Sequence, residues 1–193
     1  MNGKVILGGI LVLIILGALV IGGGYISTAN DLVAKDEAVK AAWGNVESKL
    51  QRRFDLIPNL VDTVKGYAKQ EKEVLENVTK LRTQWQAAKT PEEKAEAGGQ
   101  LEGVLSRLLV VSESYPELKS NENFMSLQAE LSGTENRISV ERDRYNEAVA
   151  EYNTAVRSVF GSMVAGFKGL KPKESYFKSD EAAKQAPKVK FGD

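Results

Sequence analysis

QRRFDLIPNLVDTVKGYA, Gln51 to Ala68, carries an apolar stripe at helical spacing with a proline in its middle. Counted by sevens, Trp43, Leu50, Ile57, Val64, Val78 and Trp85 share one phase. Val39, Val46, Leu60, Tyr67, Val74 and Leu81 share another, three residues later. Such recurrence marks a helix and excludes the alternation of a strand. Phe54, Leu56 and Val61 widen the face beyond a two-helix seam, which calls for more than one packing neighbour. Opposite the stripe stand Arg52, Asp55, Asn59 and Asp62, all polar. Pro58 lies beside that wet side, where water replaces the backbone bond its ring removes and the helix bends. The spacing therefore predicts one long helix from Asp31 to about Ala88, bent at Pro58.

Upstream, Val5 to Ile26 is an uncharged run of 22 residues. At 1.5 Å per residue it covers roughly 33 Å, about one hydrocarbon core. Its Val, Ile and Leu residues supply an insertion term of about −4 to −8 kcal/mol at central depth, which outweighs the glycines. The run also exceeds the apolar stretch of a cleaved signal peptide, so a retained anchor is expected. Lys4 on one side and Lys35 and Lys40 on the other give the positive-inside rule little asymmetry to act on. Gly8, Gly9, Gly17 and Gly22 to Gly24 leave room for anchors to approach each other and self-associate.

Downstream, Thr90, Pro91 and Glu93 form a capping-box signature that opens a second helix, with Leu101, Val104, Leu105, Leu108 and Val111 as its apolar face. Gly98, Gly99 and Gly103 weaken that helix and suggest a close helix contact. Tyr115 and Pro116 place a second turn between Ser114 and Asn121. A third helix repeats by sevens through Phe124, Leu131, Ile138, Tyr145, Tyr152 and Val159. Within it YNEAVAE is followed by YNTAVRS, a two-heptad near-repeat that reads as coiled-coil geometry. From Lys168 to Asp193 seven lysines face four acids among glycine and proline punctuation, which reads as a solvated tail.

Charge is balanced, 26 basic against 26 acidic residues, so no global field draws nucleic acid. With no cysteine and no histidine, the chain lacks thiolate nucleophiles, imidazole bases and Cys/His zinc ligands. Glu130, Glu135, Glu141, Glu147 and Glu151 do not have the histidine three residues on that bundle metal sites pair with glutamate. They read as a solvated face, except that Glu141, like Glu71, can reach the core and meet a cation such as Arg53. No catalytic, cofactor or metal residue is assigned. The polar face of Arg52, Asp55, Asn59 and Asp62 has no evident folding need: exposed pairing within the helix is one account of it, and the other makes it the candidate surface for docking a partner.

The stretches NDLV at Asn30 to Val33, AAWGNVESKLQRRFDLIPNLVDTVKGYAKQE at Ala41 to Glu71, YPELKSNENFMSLQAELSGTENRI at Tyr115 to Ile138 and RDRYNEAVAEYN at Arg142 to Asn153 resemble the LemA family. The resemblance covers most of the bundle domain. It implies a single-span N-terminal anchor, a short outside N-terminus with the bulk cytoplasmic, an antiparallel bundle of long helices, and no firmly assigned biochemical role. Two departures stand out: Gln70 where the family pattern often has histidine, and Gly161 after Phe160 where it often has a Phe-Pro step.

Taken together the expected fold is all-α, a transmembrane helix followed by an antiparallel bundle with coiled-coil-like packing. Its divisions are an anchor at 1–29, a bundle at 30–167 and a flexible lysine-rich tail at 168–193. The expected function is that of a non-enzymatic, single-pass inner-membrane scaffold that binds unidentified protein partners, without cofactor or nucleic acid. A ligand-binding or signal-relaying bundle is the alternative; an enzyme built on carboxylates or a Ser/Lys pair ranks last.

Overall fold

A proline cannot donate to the carbonyl four residues back and its ring crowds that carbonyl. At Pro58 the result is a helix boundary. In this computed structural model, which describes residues 3–173 and 177 and side chains from Leu7 onward, α1 (Gly3–Asp55) stops, Leu56 turns, and α2 (Ile57–Tyr67) restarts with Pro58 in its first turn. The Leu60 N–H then resumes the ladder by bonding the Leu56 carbonyl at 3.1 Å.

A second interruption has no such marker. Ala68 closes α2, its N–H bonding the Val64 carbonyl at 2.8 Å, and the chain reverses before α3 (Lys72–Ala87). The ring of Trp85 at the far end of α3 stacks on Phe54, and its indole N–H donates to Gln51 Oε1 at 3.1 Å. The single bent helix expected from Asp31 to Ala88 is therefore corrected to three helices. The heptad phase survives the reversal because both arms bury residues seven apart: Leu50, Ile57 and Val64 on one, Val78 and Trp85 on the other. Tyr67, at the turn, is exposed, while Leu75 is buried off that phase.

Thr90 caps α4 (Pro91–Ser112) with the box expected: Thr90 Oγ1 accepts from the Glu93 N–H, and Glu93 Oε2 accepts from the Thr90 N–H. Gly98 sits against Leu50, where a Cβ would come 2.8 Å from Leu50 Cδ2; Gly99 and Gly103 meet no neighbour. The second turn contains a one-turn helix, α5 (Pro116–Lys119), which buries Leu118. The Asn121 side chain then accepts from the Phe124 N–H at 3.0 Å as α6 (Glu122–Arg157) begins.

Among the described residues these helices group into two compact units, one of residues 43–146 and 177, the other of 3–42 and 147–173; α1 and α6 lend a segment to each. In the first unit the pairs Glu47 with Lys94 and Leu50 with Gly98 set α4 alongside α1. Tyr67 with Asn121, Arg53 with Glu135 and Trp43 with Tyr145 set α6 antiparallel to α1 and α2. Phe54, Leu101, Phe124 and Ile138 are fully buried there, each side chain contributing about 1.5–3 kcal/mol.

In the second unit Leu32 and Val39 of α1 are buried together with Val149, Tyr152 and Val156 of α6 and Val164 and Ala165 of α7 (Val159–Lys168). Val159, expected on the α6 stripe, instead opens α7 and is exposed, because Ser158 ends α6 and its Oγ accepts the Gly161 N–H at 3.0 Å. Gly169 closes α7 in the left-handed region at φ 67°. From Leu7 to Ile26 the large apolar side chains of α1 face outward. This segment is long and apolar enough to cross a membrane, by length and composition. Most of the expected tail, 178–193, lies outside the described residues.

Candidate functional site

All four residues of the predicted docking face are exposed, on both sides of the Leu56 break. Two are engaged by the fold. Arg52 pairs with Glu130, and Asp55 accepts from the Gln51 amide at 2.7 Å. The side chains of Asn59 and Asp62 make no hydrogen bond or ion pair among the described residues; only the Asn59 carbonyl is used, accepting the Thr63 hydroxyl at 2.8 Å. Beneath this face, Leu60, Val61 and Val64 hold α2 in place by burial.

One turn inward, Arg53 is buried, 3 % exposed, and its guanidinium donates to Glu135. The carboxylate expected for Arg53 was Glu71 or Glu141; the structure corrects this to Glu135. Glu71 instead accepts the Tyr115 hydroxyl at 3.1 Å in the turn after α2, and Glu141 pairs with Arg144 one turn along α6. Burial lowers the Arg53 pKa and the Glu135 carboxylate opposes that shift; the guanidinium stays charged. Arg142 lies 4.0 Å from the other Glu135 oxygen. Glu130 and Glu135, read from sequence as a solvated face, are thus both paired across helices.

Beside this cluster α4 and α6 enclose a groove of about 870 Å³ walled by Gly99, Glu102, Gly103, Arg142 and Asp143. Phe177 lines it too. Its ring packs against both Trp43 and Tyr145, which also meet each other edge-on at 5.7 Å, and its backbone is bonded at both polar groups by the Asn146 side chain.

The other unit repeats the device. Asn153 donates its amide N–H to the Lys173 carbonyl and accepts the Lys173 N–H, both at 2.8 Å. The Lys173 ammonium stands 5.2 Å from the Tyr152 ring and 2.9 Å from Asp36, which also pairs with Lys40. Tyr152 donates its hydroxyl to the Lys171 carbonyl at 3.2 Å, and burial raises its pKa. Lys35 pairs with Glu151 at 3.1 Å.

Sequence reasoning missed Trp43, Arg142, Tyr145, Asn146 and Phe177 as a group. One signal was present: the near-repeat YNEAVAE/YNTAVRS places an asparagine directly after each stripe tyrosine. Heptad packing accounts for the tyrosines, and the asparagines are the residues it leaves unexplained.

The sequence model of the LemA family matches residues 42–191. Protein LemA of Metamycoplasma hominis is 22% identical over 142 residues, 73% of this chain and 65% of that protein. Magnetosome protein MamQ 2 of Paramagnetospirillum magneticum is 27% identical over 179 residues, 79% of this chain and 65% of that protein. MamQ of Magnetospirillum gryphiswaldense is 26% identical over 168 residues, 72% of this chain and 62% of that protein. The chain thus spans slightly under two thirds of the length of these relatives.

Proposed function

Because this chain belongs to the LemA family, we propose that it is a non-enzymatic, single-pass protein of the inner membrane whose helices dock other proteins. Residues 1–29 anchor it, 30–167 form the docking domain and 168–193 the tail, with the bulk on the cytoplasmic side. The observation that carries the tether is the outward apolar surface of α1 from Leu7 to Ile26, where nothing in the described chain covers side chains such as Leu13, Leu19 and Ile21. The docking part is supported by Asn59 and Asp62, exposed polar side chains that the fold does not use.

The test uses the full chain in its own membranes. Alkaline carbonate should leave it in the membrane fraction, and a photo-crosslinking side chain at position 59 should capture a defined protein. Release by carbonate refutes the anchor; an empty crosslink at position 59 refutes the face.

The groove on α4 and α6 favours a second reading, a bundle that binds a ligand and relays its presence through helix packing. Under that reading substitutions in the groove wall, and not at Asn59, change the response.

A further inference from the structure

Phe177 is held with a specificity that simple cover does not require. Its ring is stacked on Trp43 with centroids 6.0 Å apart and planes 12° from parallel, and meets Tyr145 edge-on at 5.5 Å. The Arg142 guanidinium stands 5.2 Å from the ring centroid. An aromatic wall, an aromatic edge and a cation together favour an aromatic occupant over an aliphatic one. The backbone is read separately: Asn146 Nδ2 donates to the Phe177 carbonyl at 3.0 Å, and the Phe177 N–H donates to Asn146 Oδ1 at 2.8 Å. One side-chain amide reaches both groups of a residue when they point the same way, as they do in an extended segment.

The surroundings leave room for more than one residue. Phe177 stands at the wall of the 870 Å³ groove. On its α4 side, Gly99 and Gly103 have nothing within 4 Å of where a Cβ would stand. With Glu135 already paired to Arg53, Glu102 and Asp143 still outnumber Arg142 on that wall, which suits a segment of net positive charge such as residues 171–179, with three lysines against one glutamate.

We propose that Trp43, Arg142, Tyr145 and Asn146 form a recognition site for one aromatic residue of an extended, basic peptide. The chain's own Phe177 occupies it, and a partner's segment of the same chemistry enters when Phe177 leaves. The site is distinct from the Arg52 to Asp62 face and does not depend on that reading. Tethering gives the resident phenylalanine an advantage, since covalent linkage to the same chain holds it at an effective concentration on the order of millimolar.

The experiment uses the full chain in detergent, with a fluorescein-labelled peptide of residues 171–179, KPKESYFKS, followed by polarisation. Phe177→Ala should bind the peptide at least tenfold more tightly than the parent, whose own ring holds the site. Adding Asn146→Ala to that variant, or replacing the peptide's phenylalanine by alanine, should abolish binding. Phe177→Leu, which keeps apolar cover but removes the ring, is run beside it and should show the same gain. Equal binding by parent and variants, or no binding by either variant with its parental circular dichroism intact, overturns the proposal. A parent dimer that dissociates on Phe177→Ala would put the ring in a second copy's site and overturn occupancy in cis.

Discussion

Phe54 and Trp85 stack with ring centroids 4.7 Å apart and planes 16° from parallel, joining the end of α1 to the end of α3. The contact closes the reversal that heptad counting did not show. Trp85 is 3 % exposed, and the Lys94 ammonium stands over its ring, 5.3 Å from the centroid. Trp85→Ala should cost about 3–5 kcal/mol, measured by urea unfolding of the detergent-solubilised chain. A loss under 1 kcal/mol would mean that α3 does not depend on this stack.

The docking face makes the opposite forecast. Asp55 and Asn59 are exposed, so the double variant Asp55→Ala, Asn59→Ala should unfold within about 0.5 kcal/mol of the parent while losing its crosslinked partner. A folded double variant that retains every partner removes this face from the interaction.

Glu135→Gln leaves the buried Arg53 guanidinium without its carboxylate. The loss should be about 3 kcal/mol, the low end for a broken buried pair because Glu135 keeps partial contact with solvent. Converting Arg53 to Met in the same chain should recover much of it, since no unmatched buried charge then remains. Chemical denaturation of the two variants, compared at one pH, checks both statements.

Asp36 carries a pH signature. Burial by itself raises its pKa, but the Lys40 and Lys173 ammoniums outweigh this and the net shift is downward. A carboxyl whose folded value lies below its unfolded one contributes stability above about pH 4 and loses it as pH falls through the folded value. Asp36→Asn should therefore lower the melting temperature at neutral pH and match the parent in strong acid, where the parent's carboxyl is also neutral. A constant offset across melts from pH 7 to 2 would contradict the assignment.

Two glycines should respond with opposite signs to alanine. At Gly161 a Cβ would stand 1.8 Å from the Ala155 carbonyl oxygen, so Gly161→Ala must move backbone and should cost about 1–3 kcal/mol. At Gly103, in the interior of α4, a Cβ meets nothing, and Gly103→Ala should stabilise by up to about 1 kcal/mol through helix propensity. Thermal melts of the two variants settle both.

Elements whose cause is local were legible from sequence. The Thr90 to Glu93 box, the site of disruption at Pro58, though expected as a bend and found as a boundary, and the apolar faces of α4 and α6 depend on residues within one or two turns of each other. The reversal at Ala68 to Glu71 was not, because AKQE carries no glycine or proline and the heptad phase runs straight through it. The choice of Glu135 over Glu71 or Glu141 for Arg53 was hidden for a different reason. All three carboxylates fit the chemistry, and which one reaches Arg53 is set by how α6 lies along α1. Exposure of the Arg52 to Asp62 face could be read from the helical wheel; the pairing of Arg52 with Glu130 could not.

The clamp of Asn153 on Lys173 has a consequence for self-association. Its amide copies the donor and acceptor of a neighbouring β-strand, so the residue it grips is satisfied as if by one rung of a ladder. A true sheet edge passes its pattern on, and any chain that docks there presents a fresh edge to the next. A rung borrowed from a helix side chain stops where it starts. At this position the protein gains the order of a strand pairing without creating a template that another copy can extend.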